Sequence, residues 1–256
     1  MRLTTLGGSA ASPNMGMGAS GLLVESGSTR LVLDLGPGTL PELRRHADFR
    51  IIDAVIISHM HVDHLLDLLS LRHALAYNPI PAPAPISVFL PPGGMDVLAR
   101  ATAPFDACDE PGRFDATVRV AEYDPIQPLR VGDCVVTFAP AVHYLPAWAM
   151  RVQSEGSADL GYTGDTGPAA DLAPFFAGVG VLVAESTLLE PGSGPVAERG
   201  SLTATEAGEL ANAARAEILV LTHMWEELDF AEYRARAAVA FSGRIEMATP
   251  GLSLSW

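Results

Sequence analysis

Three histidines and an aspartate fall within six positions of the stretch Ser58-His59-Met60-His61-Val62-Asp63-His64. Imidazole nitrogen and carboxylate oxygen are the donors that zinc and similar borderline cations take. In an extended segment His59 and His61 lie on one side and can share one ion. Asp63 and His64 follow a bend and can face a second ion beside it. The same residues in a solvated loop would need no ion. The stretch directly follows the apolar run Ala54-Val55-Ile56-Ile57, which reads as a short buried strand. The cluster therefore sits on the turn that leaves the strand's carboxyl end, where neighbouring side chains can be aimed at one place.

Other carboxylates end apolar runs in the same way. Asp165 lies in Gly161-Tyr162-Thr163-Gly164-Asp165-Thr166-Gly167. Its glycine neighbours let backbone come close and leave the carboxylate projecting. One carboxylate can bridge two ions, which sets the spacing that two-metal hydrolysis uses. Alone, the motif is an ordinary Gly-Asp turn; with the histidine cluster in the same chain, bridging is preferred. Asp34 precedes Gly36-Pro37-Gly38 and can accept a hydrogen bond from a ligand histidine or cap a helix starting near Thr39. Glu185 ends Gly180-Val181-Leu182-Val183-Ala184; it can support a ligand, shuttle a proton, or simply be solvated.

From Leu31-Val32-Leu33-Asp34-Leu35-Gly36, through the histidine cluster and His143, to Gly161–Thr166 and Leu221-Thr222-His223, the chain resembles the metallo-β-lactamase fold hydrolases. The resemblance covers nearly the whole chain. It is most similar to their ribonuclease Z-like branch, which includes tRNA 3′-end nucleases and small phosphodiesterases acting on cyclic nucleotides. That resemblance implies an α/β (α+β) fold, a four-layer αββα sandwich of two mixed β-sheets with helices on both outer faces. It implies one domain over residues 1–256 and a homodimer. It also implies two divalent metal ions, with zinc the first choice and manganese or iron compatible with the same donors. His59, His61 and His143 would hold one ion, and Asp63, His64 and His223 the other, with Asp165 between them. Asp63 would also accept a proton, Glu185 is the second candidate for proton transfer, and Asp34 is favoured as the partner of a ligand histidine. A metal-bridging hydroxide would attack phosphorus or a carbonyl carbon.

One departure bears on the substrate. Ribonuclease Z-like enzymes carry a histidine where this chain has Ser201, in Arg199-Gly200-Ser201-Leu202-Thr203. A serine can donate a hydrogen bond to phosphate but is a poor acid at neutral pH. The Gly- and Lys-containing arm with which ribonuclease Z grips tRNA has no counterpart; residues 103–116 instead carry Asp106, Asp109, Glu110 and Asp115. The expected activity is therefore a phosphodiesterase on a small, cyclic nucleotide-like substrate. The alternatives are tRNA 3′-processing and lactone, ester or β-lactam hydrolysis. A metal-dependent sensor or binding protein is disfavoured, because every expected ligand is present.

Composition agrees with a small substrate. The 256 residues carry a formal net charge of −14, with only 16 Lys and Arg, and show no basic cluster. Nucleic-acid binding rests on neutralising phosphates, so a large nucleic acid is a poor partner. No apolar run approaches a membrane span. The N-terminal apolar stretch is too short for a signal peptide, which points to the cytoplasm, where Cys108 and Cys134 stay reduced.

The elements that must position the donors follow from period and punctuation. Residues 3–6, 21–25, 30–35, 86–90, 118–122, 134–139 and 147–152 read as strands. Further strands are expected near 244–247 and 252–255. Helices are expected over 39–46, 65–77, 94–102 and 229–240, and another after the capping box of Thr203 and Glu206. His46 and His73 fall on helices and are read as ordinary helical histidines.

Overall fold

In the strand containing Leu22, Leu23 and Val24, the outer two side chains enter one core and Leu23 enters another. The same alternation runs through Leu31, Val32 and Leu33, and through Ala54, Val55 and Ile56. A period of two with apolar residues on both faces is what a sheet covered on both sides requires. Burying each such leucine, valine or isoleucine contributes about 1.5–3 kcal/mol.

The computed structural model describes residues 1–110 and 112–256. The first sheet is built from Arg2–Gly7 (β1), Gly21–Ser26 (β2), Thr29–Leu35 (β3), Ala54–Ile56 (β4), Ile86–Leu90 (β5) and Val118–Glu122 (β6). The second is built from Leu129–Val131 (β7), Cys134–Pro140 (β8), Trp148–Ser154 (β9), Leu160–Tyr162 (β10), Val181–Glu185 (β11), Ile218–Thr222 (β12) and Arg244–Met247 (β13). The last strand, Ser253–Ser255 (β14), returns to pair with β1 and completes seven strands in each sheet. Both sheets are mixed. β3 to β6 run parallel, as do β10 to β13, while the remaining pairs are antiparallel.

Helices cover the outer faces. Thr39–His46 (α1), Val62–Leu65 (α2), Asp67–Ala76 (α3) and Gly94–Asp106 (α4) lie with the first sheet, and Leu40, Leu43, Leu68, Leu71 and Leu98 fill that core. Ala204–Ala214 (α5) and Phe230–Ala240 (α6) cover the second sheet through Ala207, Ala211, Tyr233 and Ala237. Between the sheets, Leu22, Leu31 and Ile56 meet Val152, Val183 and Val220. This is the expected four-layer αββα sandwich.

Three local readings need correction. The histidine cluster does not lie wholly on a turn, because Asp63 and His64 occupy the short helix α2. The helix expected over 65–77 is divided into α2 and α3 at Leu66. α4 runs four residues further than expected, through Pro104 to Asp106, since one proline near a helix end forfeits only a single backbone hydrogen bond. The rest of the segment 103–116 includes Pro111, which lies outside the described residues. The capping box is present: Thr203 accepts from the Glu206 backbone, and Glu206 accepts from the Thr203 backbone.

Candidate metal centre

Parallel strands of both sheets end along one edge, the usual place for a site in an open α/β sheet. Asp34 stands one residue before the end of β3, and the histidine cluster follows β4. Asp165 follows β10, Glu185 ends β11 and His223 follows β12, while His143 lies between β8 and β9. Gly167 draws this edge together, because a Cβ there would stand 1.6 Å from the Arg199 carbonyl oxygen. Only a residue without a side chain lets the Asp165 loop lie against residues 199–201.

Asp34 is fully buried and accepts four hydrogen bonds. Ser58 donates its backbone N–H at 2.6 Å and its hydroxyl at 2.7 Å. The Tyr162 hydroxyl donates at 2.7 Å, and His64 Nδ1 does so at the same distance. α1 begins after Gly38 with no side-chain cap, so helix capping is not what Asp34 does. Asp34 and His223 both have left-handed backbone, with φ of 57° and 61°. Such conformations cost about 1–3 kcal/mol each and gather where the surrounding structure over-determines them.

The hydrogen-bond network assigns the histidine tautomers. Ser58 gives its one hydroxyl proton to Asp34, so it accepts from His59 Nδ1 at 3.0 Å. His143 Nδ1 donates to the Gly200 carbonyl at 2.6 Å. Thr187 donates to Glu185 Oε2 at 2.8 Å and so accepts from His223 Nδ1 at 2.7 Å. With His64 tied to Asp34, four histidines have Nδ1 anchored and turn Nε2 inward. Anchoring the far nitrogen fixes ring orientation and leaves the near one basic.

The inward atoms form two groups that share Asp165, one with His59, His61 and His143, the other with Asp63, His64 and His223. Within each group the donor atoms lie within 4.8 Å of one another. His61 Nδ1 stands 3.2 Å from His59 Nε2 and 3.0 Å from His143 Nε2. Asp165 Oδ2 is 3.7 Å from both His59 Nε2 and His143 Nε2. In the second group, His64 Nε2 lies 3.2 Å from Asp165 Oδ1, and His223 Nε2 lies 3.0 Å from Asp63 Oδ2 and 3.3 Å from Asp165 Oδ2. Donors of a tetrahedral ion with ~2.0–2.1 Å bonds stand about 3.3 Å apart. The donor set therefore fits two cations on either side of one carboxylate.

Electrostatics without metal divides the same residues. Burial pushes Asp63 and Asp165 up, but His223 and His64 outweigh it and hold both carboxyls well below their usual range. Burial lowers His64 and His223, yet Asp165 outweighs it and raises both, helped by Asp34 for His64 and Asp63 for His223. Burial and neighbouring histidines depress His59 and His61. The metal-free centre thus holds its protons on the histidines of the second group. A cation must displace them. Binding of zinc at pH 7 is expected to release about one to two protons per chain and to strengthen as pH rises. Calorimetry in buffers of different ionisation enthalpy reads the count; release of none would contradict this charge distribution.

Glu185 is fully buried, so it is not a solvated strand end. It accepts from the backbone of Thr166 and Thr187, both at 3.1 Å, and reaches His223 through the Thr187 hydroxyl. Burial, then the nearby Asp165 charge, raises its pKa to about 7. Ser201 is 8% exposed. It directly follows the carbonyl that orients His143, and its hydroxyl makes no hydrogen bond among the described residues. His46 pairs with Glu42, and His73 bonds Leu69 on its own helix; neither joins the centre. Sequence reasoning passed over Ser58, Tyr162, Thr187 and the Gly200 carbonyl. Only their position within or beside the motifs hinted at them.

The family described as β-lactamase superfamily domain matches residues 29–224. The probable metallo-hydrolase YhfI of Bacillus subtilis is 27% identical over 257 residues, 98% of each chain. Its crystal structure superposes with a TM-score of 0.84 at 26% identity, covering 99% of both chains. Ribonuclease Z of Bradyrhizobium diazoefficiens is 27% identical over 286 positions, covering 93% of this chain and 94% of that one. Human tRNase Z, short form, shares the fold with a TM-score of 0.75 at 21% identity, over 100% of this chain and 99% of the other. No helix among the described residues is long and apolar enough to cross a membrane.

Proposed function

The chain belongs to the β-lactamase superfamily domain family and is a metal-dependent hydrolase, and within that family we propose that it is a binuclear phosphodiesterase acting on a small, cyclic nucleotide-like substrate. The observation that carries the reading is Asp165, one carboxylate shared by two complete donor groups. Divalent ions held there, with zinc the expected metal, would polarise the substrate and bring the pKa of water to about 7.

The chain's own residues do the rest. Asp165 and Asp63, held ionised, set the negative charge that keeps two cations side by side. Asp63 uses Oδ2 toward His223 and His64. Its Oδ1 has no hydrogen-bond partner among the described residues, and we assign that atom to accept the nucleophile's proton. Glu185, through Thr187, keeps His223 Nε2 facing inward. Asp34 does the same for His64 directly and for His59 through Ser58. The same reading carries a homodimer in the cytoplasm.

Charge supports a small substrate. Arg44, Arg45 and Arg50 do gather with His46 around one open groove of about 540 Å³, a clustering that the sequence reading missed. Arg50 is paired with Asp48, however, and Arg45 and His46 with Glu42. Little free positive charge is left for an RNA backbone. Ser201 favours a second reading, lactone, ester or β-lactam hydrolysis, since no histidine stands there to protonate a phosphodiester's leaving group. Turnover of bis-p-nitrophenyl phosphate, a lactone and a chromogenic β-lactam by zinc-loaded protein separates the two. Phosphodiester turnover with the others near background is expected; turnover confined to the lactone or lactam rejects the phosphodiesterase.

A further inference from the structure

Among the described residues Tyr144 is the most exposed aromatic side chain, at 70%, and it lies beside the candidate metal centre. Its ring centroid is 5.0 Å from that of His143, at 52°. The ring covers the backbone of Gly200. A Cβ on Gly200 would stand 2.9 Å from Tyr144 Cε2, 3.0 Å from Cζ and 3.1 Å from His143 Nδ1. Any side chain at position 200 would push the ring aside, so glycine there lets Tyr144 lie close against the chain next to Ser201. Its hydroxyl makes no hydrogen bond among the described residues. Nothing in the fold therefore depends on the phenol, and burial of the ring is too slight to matter for the core. An exposed aromatic side chain remains, one residue from an inward-facing donor.

We propose that Tyr144 is a stacking platform for a planar aromatic group, such as a nucleobase, attached to the phosphate-bearing part of the substrate. The inference rests on the phosphodiesterase reading and adds a specificity residue to it. A phosphate at the ions leaves its sugar and base to reach outward past His143, where the ring offers a π-face. Stacking of a base on an aromatic residue is sequence-tolerant and strengthens binding about 5- to 150-fold.

Calorimetric binding of adenosine monophosphate and of ribose 5-phosphate to the zinc-loaded protein tests this without requiring turnover. Wild type is expected to bind the nucleotide at least about tenfold more tightly than the baseless sugar phosphate. Tyr144→Ala should erase that preference and leave ribose 5-phosphate within about twofold; Tyr144→Phe should keep it. Equal weakening of both ligands, loss of the preference in Tyr144→Phe, or no preference in wild type would each overturn the platform. Thermal melts show whether Tyr144→Ala is folded, and Tyr144→Leu repeats the test with an apolar side chain that cannot stack. Turnover of cyclic adenosine monophosphate is read separately. A nucleotide preference without that turnover rejects the phosphodiesterase and keeps the platform; turnover without the preference does the reverse.

Discussion

Asp165→Ala is expected to lower turnover by about a thousandfold or more and to reduce bound zinc from two ions per chain to at most one. The residue is the only one common to both donor groups. Its oxygens lie 3.2–3.7 Å from the inward nitrogens of His59, His64, His143 and His223. Charge stabilisation by a catalytic ion is worth several kcal/mol, and a thousandfold corresponds to ~4 kcal/mol. The fold should survive. Asp165 is one of four buried carboxylates at this edge, with Asp34, Asp63 and Glu185, and its charge helps push the Glu185 pKa up. Removing it relieves that repulsion but also takes from His64 and His223 the charge that raises both; each can then shed its extra proton while its Nδ1 stays anchored. Circular dichroism and metal analysis on the same sample check both halves. Two zinc ions retained by a folded Asp165→Ala protein would show that the carboxylate does not hold the pair.

Asp34→Ala is expected to cost more stability than any other single change at the centre. It orphans the Ser58 N–H and hydroxyl, His64 Nδ1 and the Tyr162 hydroxyl, all buried. An unsatisfied buried polar group costs about 1–3 kcal/mol. Allowing for rearrangement of the Ser58 hydroxyl, the total is about 3–5 kcal/mol, a large part of ordinary net stability. That is a fall of about 6–10 °C in Tm for a chain of this size. Alanine is also a poor residue for a φ of 57°, which offers no compensation. Asp34→Asn separates stability from metal binding. Its oxygen can still accept from Ser58, and asparagine tolerates left-handed backbone. Its amide, however, meets His64 Nδ1 donor to donor. Asp34→Asn should therefore melt closer to wild type but bind zinc about 10- to 100-fold more weakly. Urea unfolding with zinc titration reads both; unchanged zinc affinity would remove Asp34 from the account.

Much of the fold was legible because its strands are apolar on both faces and short. Leu22, Leu31 and Ile56 announce strands by composition alone. β7, only three residues long, carries no such signal. The strand near 252–255 is present as β14, but its return to β1, more than two hundred positions away, depends on tertiary pairing that no local pattern encodes. The division at Leu66 was hidden because periodicity continues across it. At the centre, residue types and spacing singled out the donors, since few other needs bring so many imidazoles and carboxylates to strand ends. The supporting hydroxyls were not legible. Ser58, Tyr162 and Thr187 are ordinary residues in or near strands, and their roles appear only when positions 34 and 162, or 187 and 223, meet in space. Nor does sequence reveal that Asp34 and His223 are held in left-handed backbone.

Turnover of 3′,5′-cyclic adenosine monophosphate, followed as zinc is titrated into metal-free protein, tests the central claim most directly. The account predicts no turnover without zinc and a rate that rises until two ions are bound per chain. Full rate at one ion would contradict the shared role of Asp165. No phosphodiester turnover at any zinc level, with a lactone hydrolysed instead, would contradict the substrate class and make Ser201 the decisive residue.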